Sequence, residues 1–384
     1  MIITIDDAIP YWKEAFAGLG ELRPYSGNKP GRNALIDADA LIVRSVTPVD
    51  AALLEGSAVG FVAAASAGID HVDLPYLYRS GIGFGYAPGC NANSVSEYIT
   101  AALCVVAGRR GWALRDRSIA IVGVGNVGGR VAEKARAFGM EVLLCDPPLR
   151  EQTGDPRYRD FDDVLGADFL TFHVPLVPDG AHPTYHMLNR EVLGRLSPGQ
   201  IVLNTSRGAV FDNRALRTAL LEHRIGGAVL DVWEDEPRID YSLLGHIDIG
   251  TPHIAGSSLD GKIRATEMVC GALHDFFRIP SPWKGGSVIS APKILRPEPE
   301  RTGRDAILSV ILKAYNILDD DANLRKLGSA APAPASGAGF EQVRRTYPFR
   351  AEFPHFTVVL DGEHLRLSTI FKALGFQVRQ GAVL

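Results

Sequence analysis

The chain has 384 residues, 46% of them hydrophobic and 22% charged, which is enough to bury the cores of two or three domains. Its formal net charge is -4 and its cations form no concentrated basic stripe, so we expect no nucleic-acid partner. No apolar run approaches the ~20 residues of a membrane span, and the acidic N-terminus is not typical of a signal peptide, so we expect no membrane partner. The four cysteines are widely spaced and lack a C-x-x-C pattern, which indicates free thiols in the cytoplasm.

Apolar runs separated by polar or helix-like segments predict the strands of a first domain. These runs are Ile2–Ile5, Ala40–Val43 and Val59–Ala65. Strands that alternate with helices imply right-handed βαβ units and a parallel sheet. Two longer segments, Asn93–Gly108 and Gly261–Phe276, predict helices that carry the chain into a second domain and back again. We therefore expect a discontinuous, flavodoxin-like substrate domain made of residues 1–95 and 257–285.

A glycine-rich turn follows the first of these helices. Gly123, Gly125 and Gly128 fit the pattern G-x-G-x-x-G, with the apolar run Ile119–Val122 before them and a helix-like segment after them. The first glycine of such a turn allows a tight bend, the second lets the backbone approach a pyrophosphate, and the third lets the helix pack on the strand. Asp146 lies about 20 residues further on, where a carboxylate binds a ribose hydroxyl and repels the 2′-phosphate of NADP. The pattern predicts NAD binding, although an isolated G-x-G-x-x-G also occurs in ordinary turns.

Five further apolar runs continue the alternation beyond the turn. They are Glu141–Cys145, Asp168–Val174, Gln200–Asn204, Gly227–Leu230 and Ile247–Gly250. Together with Ile119–Val122 they give six strands, enough for one complete doubly wound Rossmann domain over residues 96–256. The predicted fold class is therefore α/β.

The composition changes near residue 280. Ile279–Arg304 is rich in proline and charge, which predicts a linker. Apolar residues recur at helical spacing over Asp305–Leu327, and Gly328–Gly339 is rich in Ala, Pro, Ser and Gly, which predicts a mobile loop. A short strand, Phe356–Leu360, and a short helix, Leu367–Leu374, complete a small α+β domain over residues 286–384, which by itself could be a structural appendage.

Three polar side chains follow separate strands of the predicted Rossmann domain, at the end where doubly wound sheets place their ligands. Arg207 stands in NTSRGAV, Glu236 in DVWEDEP and His253 in GTPHIAG. Hydride removal from a 2-hydroxy acid needs a base for the hydroxyl proton and a cation for the carboxylate. Histidine can be that base because its ordinary pKa is about 6.5, a glutamate can orient it, and arginine matches a carboxylate with a planar fork. Each residue alone could be a surface group, but beside a cofactor turn the three indicate a catalytic set.

The motifs GVGNVG, FHVPL, SRGAV, DVWEDEP and PHIAG resemble those of the D-2-hydroxyacid dehydrogenase family, over roughly residues 40–265. The resemblance implies the roles given above for Arg207, Glu236 and His253. It also implies that Asp231 holds the nicotinamide carboxamide, and that Asp146 and the backbone of Asn126 and Val127 hold the rest of NAD. The further NAD contacts that it implies are Val174, Thr205, Ser206 and Gly256.

A second set of motifs, VRSVTPVD, SAGIDHVD, APGCNANSVSEY, LLCDPP and HIAGSSLDGK, is similar to one branch of that family, which works in pyridoxal 5′-phosphate (vitamin B6) biosynthesis. That branch oxidises 4-phospho-D-erythronate at C2 to (R)-3-hydroxy-2-oxo-4-phosphooxybutanoate with NAD. The resemblance implies that Ser45, Ser66 and the position of Ser257 contact the substrate, and that the C-terminal domain forms a homodimer. Ser257 departs from the branch, because a tyrosine is expected at this position.

The phosphate at the far end of such a substrate needs a second cationic or N–H-rich site. Arg44 and Ser45 follow the predicted strand Ala40–Val43, and Arg44 is our candidate for that phosphate. His71 and Asp73 lack a third ligand at metal spacing, so no metal site is predicted. Two other functions stay open: another D-2-hydroxyacid dehydrogenase, for example one for 3-phosphoglycerate, and an NAD-sensing, non-enzymatic binding protein on the same fold.

Overall fold

The computed structural model describes residues 1–280, 282–285, 293–329 and 337–381. The chain divides into two compact units. The first consists of Met1–Ala92 and Ser258–Ser290, and the second of Asn93–Ser257 and Ala291–Leu384. Within the described ranges, no helix combines the length and the apolar character that crossing a membrane requires.

The first unit contains a five-stranded parallel sheet. Its strands are β1 (Ile2–Asp6), β2 (Glu21–Tyr25), β3 (Ala40–Val43), β4 (Phe61–Ala64) and β5 (Gly83–Tyr86). The spatial order β2-β1-β3-β4-β5 is that of flavodoxin-like sheets, which confirms the predicted fold class of this region. The sequence prediction missed β2 and β5, the two edge strands: ELRPY has little apolar character and GFGY contains two glycines, so neither gives a continuous apolar run.

Short helices connect these strands. Two longer helices lie where the chain leaves the first unit and where it returns to it. The helices up to the second unit are α1 (Trp12–Ala15), α2 (Ala51–Leu54), α3 (Leu74–Arg79) and α4 (Ala92–Arg110). The helix α11 (Leu259–Phe277) returns to the first unit and packs on β4 and β5. The two long helices confirm the predictions made for Asn93–Gly108 and Gly261–Phe276, each extended by one or two residues at its ends.

The second unit is built on a seven-stranded parallel sheet. Its strands are β6 (Ser118–Val122), β7 (Glu141–Cys145), β8 (Tyr158–Arg159), β9 (Phe169–Phe172), β10 (Ile201–Asn204), β11 (Gly227–Leu230) and β12 (Ile249–Gly250). The order β12-β11-β10-β9-β6-β7-β8 places β6 between β9 and β7, as in a doubly wound Rossmann sheet. The prediction of six strands was therefore one too low, because the two-residue edge strand β8 carries no apolar run of its own.

Six helices connect the strands of this sheet. They are α5 (Asn126–Ala137), α6 (Pro147–Thr153), α7 (Phe161–Val164), α8 (Arg190–Arg195), α9 (Asn213–Leu221) and α10 (Tyr241–Leu244). Several begin at an acidic or amide side chain that accepts from a backbone N–H of the first turn, as Asp212 does from Ala215. These caps fix where each helix begins, and hence the loops that precede them.

Among the described residues of the C-terminal region, the structure has a three-stranded parallel sheet and four α-helices. In chain order the elements are β13 (Lys293–Leu295), α12 (Gly303–Ala314), α13 (Ile317–Ser329), α14 (Ala338–Arg345), β14 (Phe356–Leu360), α15 (Ser368–Leu374) and β15 (Gln377–Gln380). The predicted linker thus contains β13, and the predicted helical stretch Asp305–Leu327 is interrupted at Tyr315, whose backbone is extended. The predicted loop Gly328–Gly339 lies mostly outside the described residues.

The C-terminal elements share a hydrophobic core with the Rossmann sheet. One continuous cluster of buried side chains contains Ile119 and Val131 together with Ile311, Phe353 and Phe371. A buried lysine, Lys134 of α5, donates to the carbonyl oxygen of Leu374 at 2.8 Å. Residues 291–384 therefore belong to the same compact unit as residues 93–257. The division into three domains at residues 95, 257 and 286 stays a prediction.

Candidate active site

The glycine turn between β6 and α5 is shaped by close backbone approaches. Gly123 has a φ of +87°, and a Cβ there would lie 2.6 Å from the carbonyl oxygen of His173. A Cβ at Gly128 would lie 1.9 Å from the carbonyl oxygen of Gly123. At Gly125 a Cβ would meet nothing within 4 Å. The first and third glycines are therefore required by the turn itself, whereas the second leaves open space beside its backbone, as a bound pyrophosphate needs.

The helix that follows the turn presents its first backbone N–H groups at this open space. α5 begins at Asn126 and Val127 and runs for 12 residues, so its N-terminus carries unpaired N–H groups and the positive end of the helix dipole. Asp146 ends β7 beside the turn: its Oδ2 accepts from Val124 N at 2.7 Å and its Oδ1 from Leu149 N at 3.0 Å. The carboxylate is thereby held in place and keeps further acceptor sites for ribose hydroxyls. These residues fit a dinucleotide.

The loop after β10 carries Arg207 and is organised by a buried asparagine. The Asn204 side chain accepts from Ser206 N at 3.0 Å and Ser206 Oγ at 2.7 Å, and it donates to Arg207 O at 2.9 Å. At Gly208 a Cβ would lie 1.8 Å from Trp233 O, so this loop packs directly on the loop after β11. The close approach brings the loop of Arg207 against the loop that carries Glu236. Sequence reasoning missed the role of Asn204, although its position at a strand end in NTSR was a usable signal.

Glu236 and His253 form a hydrogen-bonded pair. His253 Nδ1 lies 2.8 Å from Glu236 Oε2, and Glu236 Oε1 accepts from Trp233 N at 2.8 Å. The side chain of His253 is 33% exposed and that of Glu236 19% exposed, so the ring is open to a ligand while its partner is shielded. Burial raises the pKa of Glu236, but the facing His253 charge, its hydrogen bond and the Trp233 N–H together bring the pKa below its ordinary value. The glutamate therefore stays anionic and fixes the orientation of the ring.

The loop of residues 251–257, hereafter the His253 loop, is held by a buried carboxylate. His253 has a φ of +58°, the left-handed region that only a well-supported non-glycine residue adopts. Asp231, at the end of β11, accepts from Ile254 N at 2.8 Å and Ala255 N at 2.9 Å, and its own carbonyl oxygen accepts from His253 N at 2.7 Å. Burial raises the pKa of Asp231. Asp231 thus fixes three consecutive N–H groups of the loop.

The same carboxylate ends a buried chain of hydroxyl groups that the sequence did not reveal. Thr251 Oγ1 donates to Asp231 Oδ1 at 2.6 Å, and the Tyr98 hydroxyl lies 2.7 Å from Thr251 Oγ1. Both Tyr98 and Thr251 are buried. The helix α4 is thereby tied to the loop of the histidine. Tyr98 ends the motif APGCNANSVSEY, but the motif does not reveal this contact, because the partner lies 153 positions further along the chain.

Two histidines have more specific environments than their sequence neighbourhoods suggested. His173, in FHVPL, lies 3.0 Å from Thr171 Oγ1 and 3.2 Å from Thr205 Oγ1, and burial lowers its pKa to about 3. Its ring is therefore neutral and braces Thr205, a predicted NAD contact. Val174, another predicted NAD contact, lies 2.9 Å from the Cβ position of Gly123. His186, in the loop that precedes α8, pairs with Glu234 at 2.5 Å.

The predicted substrate residues occupy turns. In the first unit, Arg44 Nε donates to the fully buried Asp6 at 2.7 Å, and its two terminal nitrogens donate no hydrogen bond to any described residue. Ser45 is exposed, and Ser66 Oγ donates to Gly68 O at 2.8 Å. In the second unit, Ser257 N donates to Ile254 O at 2.8 Å, which places Gly256 and Ser257 in the turn that closes the His253 loop. Over the described residues, no group of three or more His, Cys, Asp or Glu side chains is arranged to hold a metal ion.

Comparisons with known proteins agree with this geometry. The family model of the D-isomer specific 2-hydroxyacid dehydrogenase NAD binding domain matches residues 104–255. Erythronate-4-phosphate dehydrogenase of Azotobacter vinelandii is 43% identical over 388 residues and covers 98% of this chain and 99% of its own. The corresponding protein of Klebsiella pneumoniae is 41% identical over 382 residues, with 98% of each chain covered.

Solved structures extend the likeness to the fold. D-lactate dehydrogenase from Aquifex aeolicus, complexed with NAD and lactic acid, is 26% identical, with a TM-score of 0.60 over 72% of this chain and 96% of that one. NAD-dependent formate dehydrogenase from Staphylococcus aureus, at 23% identity and a TM-score of 0.57, shares the fold. With a glycine turn, an acid after β7 and an Arg–Glu–His set in the loops that follow β10, β11 and β12, the chain belongs to the erythronate-4-phosphate dehydrogenase family, within the D-2-hydroxyacid dehydrogenases.

Proposed function

We propose that this chain oxidises 4-phospho-D-erythronate at C2 to (R)-3-hydroxy-2-oxo-4-phosphooxybutanoate with NAD, in pyridoxal 5′-phosphate biosynthesis. One observation carries the proposal: the Glu236–His253 pair, 2.8 Å apart, lies in the same compact unit as a glycine turn fit for a dinucleotide. The curated relatives that match nearly the whole chain are erythronate-4-phosphate dehydrogenases, which supports the choice of substrate.

The pair assigns the proton transfer to one atom of the ring. Because Nδ1 of His253 donates to the anionic Glu236, Nε2 is left as an acceptor for the proton of the substrate 2-hydroxyl. NAD, when bound, accepts the hydride that leaves C2. Glu236 stabilises the imidazolium that results, and Arg207 pairs with the substrate carboxylate through its planar guanidinium. Asp231, Gly256 and the glycine turn hold the cofactor.

The rest of the substrate is assigned to the turns of Arg44, Ser45, Ser66 and Ser257. Arg44 uses only Nε for Asp6, so the two terminal nitrogens of its guanidinium can donate to the phosphate. Ser257 stands where the branch is expected to have a tyrosine. A serine hydroxyl is smaller, so it can contact the substrate only over a shorter reach.

Cofactor choice is assigned to Asp146. Its carboxylate accepts from Val124 N and so lies against the glycine turn, where a 2′-phosphate would be repelled. The nearby cation Arg150 pairs with Asp160 at 2.9 Å, which removes it as a partner for that phosphate. We therefore propose NAD rather than NADP.

We further propose a cytoplasmic homodimer that binds no nucleic acid. The four cysteines are free and buried, as expected in a reducing compartment. Three large apolar side chains of the C-terminal residues, Ile294, Phe349 and Leu365, are 65%, 49% and 40% exposed, which supports a subunit interface there. Light scattering tests this: charged substitutions at Phe349 and Leu365 should give monomers, and an unchanged dimer would contradict the location.

The decisive test of the reaction is turnover with a panel of acids. The purified chain is assayed for NADH formation with 4-phosphoerythronate, erythronate, 3-phosphoglycerate and lactate, and then with NADP in place of NAD. We expect the highest kcat/KM with 4-phosphoerythronate and NAD. A preference for another acid would move the chain to another dehydrogenase activity, and NAD binding without turnover of any acid would favour an NAD-sensing protein.

A further inference from the structure

A buried arginine of the C-terminal residues lies at both places where the chain changes unit. The chain passes from the first unit to the second at Ala92–Asn93 and returns at Ser257–Ser258. Arg350 Nη2 donates to Ser94 O at 2.6 Å, two residues after the first crossing. The same nitrogen donates to Ala255 O at 2.9 Å, shortly before the second crossing. One guanidinium therefore joins the start of α4 to the His253 loop.

The guanidinium is fixed by its surroundings. Its side chain is 7% exposed, its Nη1 lies 3.3 Å from Oε2 of the fully buried Glu97, and its plane lies over the ring of Tyr315, with 4.2 Å from Cζ to the ring centroid. Glu97 in turn accepts from Phe353 N at 2.8 Å. An arginine that is buried, stacked on an aromatic ring and paired with a carboxylate loses little further freedom when it bonds two carbonyls. It can therefore set the position of those carbonyls.

Glu352, two residues after Arg350, fixes the start of α4. Glu352 Oε1 accepts from Ser94 Oγ at 2.7 Å, and Glu352 Oε2 accepts from Asn93 Nδ2 at 2.7 Å. Glu352 is 2% exposed. The segment 350–353 thus carries one side chain that reaches the His253 loop and several contacts that anchor it to α4. The segment is therefore fixed to α4, and the Arg350 side chain extends from it to the His253 loop.

Ala255 is the residue through which this contact reaches the active site. Its carbonyl oxygen accepts from Arg350, while its N–H donates to Asp231 at 2.9 Å. Two residues earlier, His253 adopts its left-handed conformation, a strained backbone that persists only where the surrounding structure holds it. Asp231 accepts from N–H groups of the loop, and Arg350 donates to the carbonyl oxygen of Ala255.

We infer that Arg350 is a positioning residue of the dehydrogenase reaction: it holds the His253 loop in the conformation in which His253 meets Glu236. The inference rests on the proposed function for its kinetic consequence and on the contacts of Ala255 for its geometry. The C-terminal residues then serve the active site of their own chain, in addition to any part in a dimer.

The test removes the guanidinium and returns it from solution. Arg350 lines a cleft of about 670 Å³ with Pro252 and Tyr347, so a small cation can enter the space left by Arg350→Ala. We expect kcat of this variant to fall by about tenfold to a hundredfold, the size of a lost charge-assisted hydrogen bond. KM for NAD should rise far less, because the glycine turn is untouched. Millimolar ethylguanidinium, which replaces the atoms removed, should restore kcat with saturation, whereas ethylammonium should not.

The controls separate positioning from general stability. Arg345→Ala removes an exposed arginine five residues earlier and should match the wild type with and without ethylguanidinium. A near-normal kcat in Arg350→Ala, or a folded, NAD-binding variant that ethylguanidinium does not restore, would overturn the inference. If Arg350→Ala does not fold, Arg350→Lys decides: it keeps the positive charge on a single nitrogen but loses the planar guanidinium, so kcat should fall while NAD binding persists, and a wild-type kcat would overturn the inference.

Hydrogen exchange makes the test independent of the substrate assignment. The amides of Ile254 and Ala255 are hydrogen-bonded to Asp231, so Arg350→Lys should reduce their protection while Arg345→Ala leaves it unchanged. If the wild type oxidises none of the acids but this loss of protection is found, the proposed function fails and the positioning role stands. Unchanged protection in Arg350→Lys would overturn the positioning role whatever the activity.

Discussion

The residues assigned to the reaction and those assigned to the substrate phosphate are held in different ways. In the second unit, the His253 ring is bonded to Glu236, whose carboxylate also accepts from Trp233 N, and the backbone N–H of His253 donates to Asp231 O. In the first unit, Arg44 has one ion-pair partner and two terminal nitrogens without a bond from a described residue, and Ser45 is exposed. The groups proposed for proton transfer are therefore preorganised, whereas the side chains proposed to bind the phosphate are left to adapt to the ligand.

We expect the largest loss of kcat when the proposed base, His253, is removed. His253→Ala removes the base, so kcat should fall by about 10²–10⁴-fold, the usual contribution of general acid–base catalysis. NAD binding should persist, because the glycine turn and Asp146 belong to other loops. Steady-state turnover and fluorescence titration with NAD measure the two quantities separately. A kcat near that of the wild type would remove His253 from the mechanism.

Glu236 is proposed to set the pH at which His253 acts as a base. Glu236→Gln keeps the size of the side chain but removes the charge that favours the imidazolium form, so the pH–rate profile should move to lower pH. Asp235→Asn, next to it in the chain, is the matched control and should leave the profile in place. A profile that does not move in Glu236→Gln would mean that the pair does not act together during turnover.

Arg44 is the side chain proposed to bind the substrate phosphate. Arg44→Ala should lower kcat/KM for 4-phosphoerythronate by about tenfold to a hundredfold, the loss of a charge-assisted contact of ~1.5–3 kcal/mol. Unphosphorylated erythronate should be affected much less, since it lacks the phosphate. Kinetics of both acids on the same variant measure the selectivity.

An arginine of the same sheet provides the control for that substitution. Arg23 follows the same pattern of an ion-paired side chain, with Asp37 as its partner, but it lies on the edge strand β2. Arg23→Ala should change kcat/KM for neither acid. Equal losses on both acids in Arg44→Ala would exclude Arg44 from the phosphate site.

The sequence predicted the Rossmann region better than its edges, for a physical reason. β10 and β11 are buried over their whole length and β7 over its last three residues, and the bounds of all three were predicted to within one residue. The strands that were missed, β2, β5 and β8, are edge strands or contain glycines. The inner strands owe their position to hydrophobicity, which a sequence displays, whereas edge strands owe it to pairing with a neighbour.

The candidate site was predictable in its reacting groups but not in their supports. Arg207, Glu236 and His253 stand in motifs at strand ends, where local sequence suffices. Tyr98 and Arg350 contact the His253 loop and its threonine over 153 and 95 positions of the chain, so local sequence does not reveal these contacts, although Tyr98 ends the motif APGCNANSVSEY. The pairing of His186 with Glu234 was missed for the same reason: the two lie 48 positions apart.

Two glutamates of the second unit, Glu97 and Glu236, have pKa values that shift in opposite directions. The pKa of Glu236 is lowered by its histidine, whereas burial raises the pKa of Glu97 to about 8, with nearby Glu352 adding to the rise and Arg350 and Lys134 opposing it. In the unfolded chain a glutamate titrates at about 4.3. Between these two pH values the folded chain binds more protons at Glu97 than the unfolded chain does, so the contribution of Glu97 to stability is full below about pH 4.3 and declines as the pH rises through 8.

Glu97→Gln removes that decline. Its amide oxygen can still accept from Phe353 N, and it carries no proton that leaves at alkaline pH. Relative to the wild type, the free energy of unfolding of the variant should therefore improve between pH 5 and pH 9, by on the order of 1–3 kcal/mol. Urea unfolding across this range measures the difference, with Glu300→Gln, an exposed acid, as the control that should parallel the wild type. Parallel curves for Glu97→Gln and the wild type would mean that Glu97 is ionised at neutral pH, and that its burial among Arg350 and Lys134 is compensated as fully as that of Glu236 is by His253.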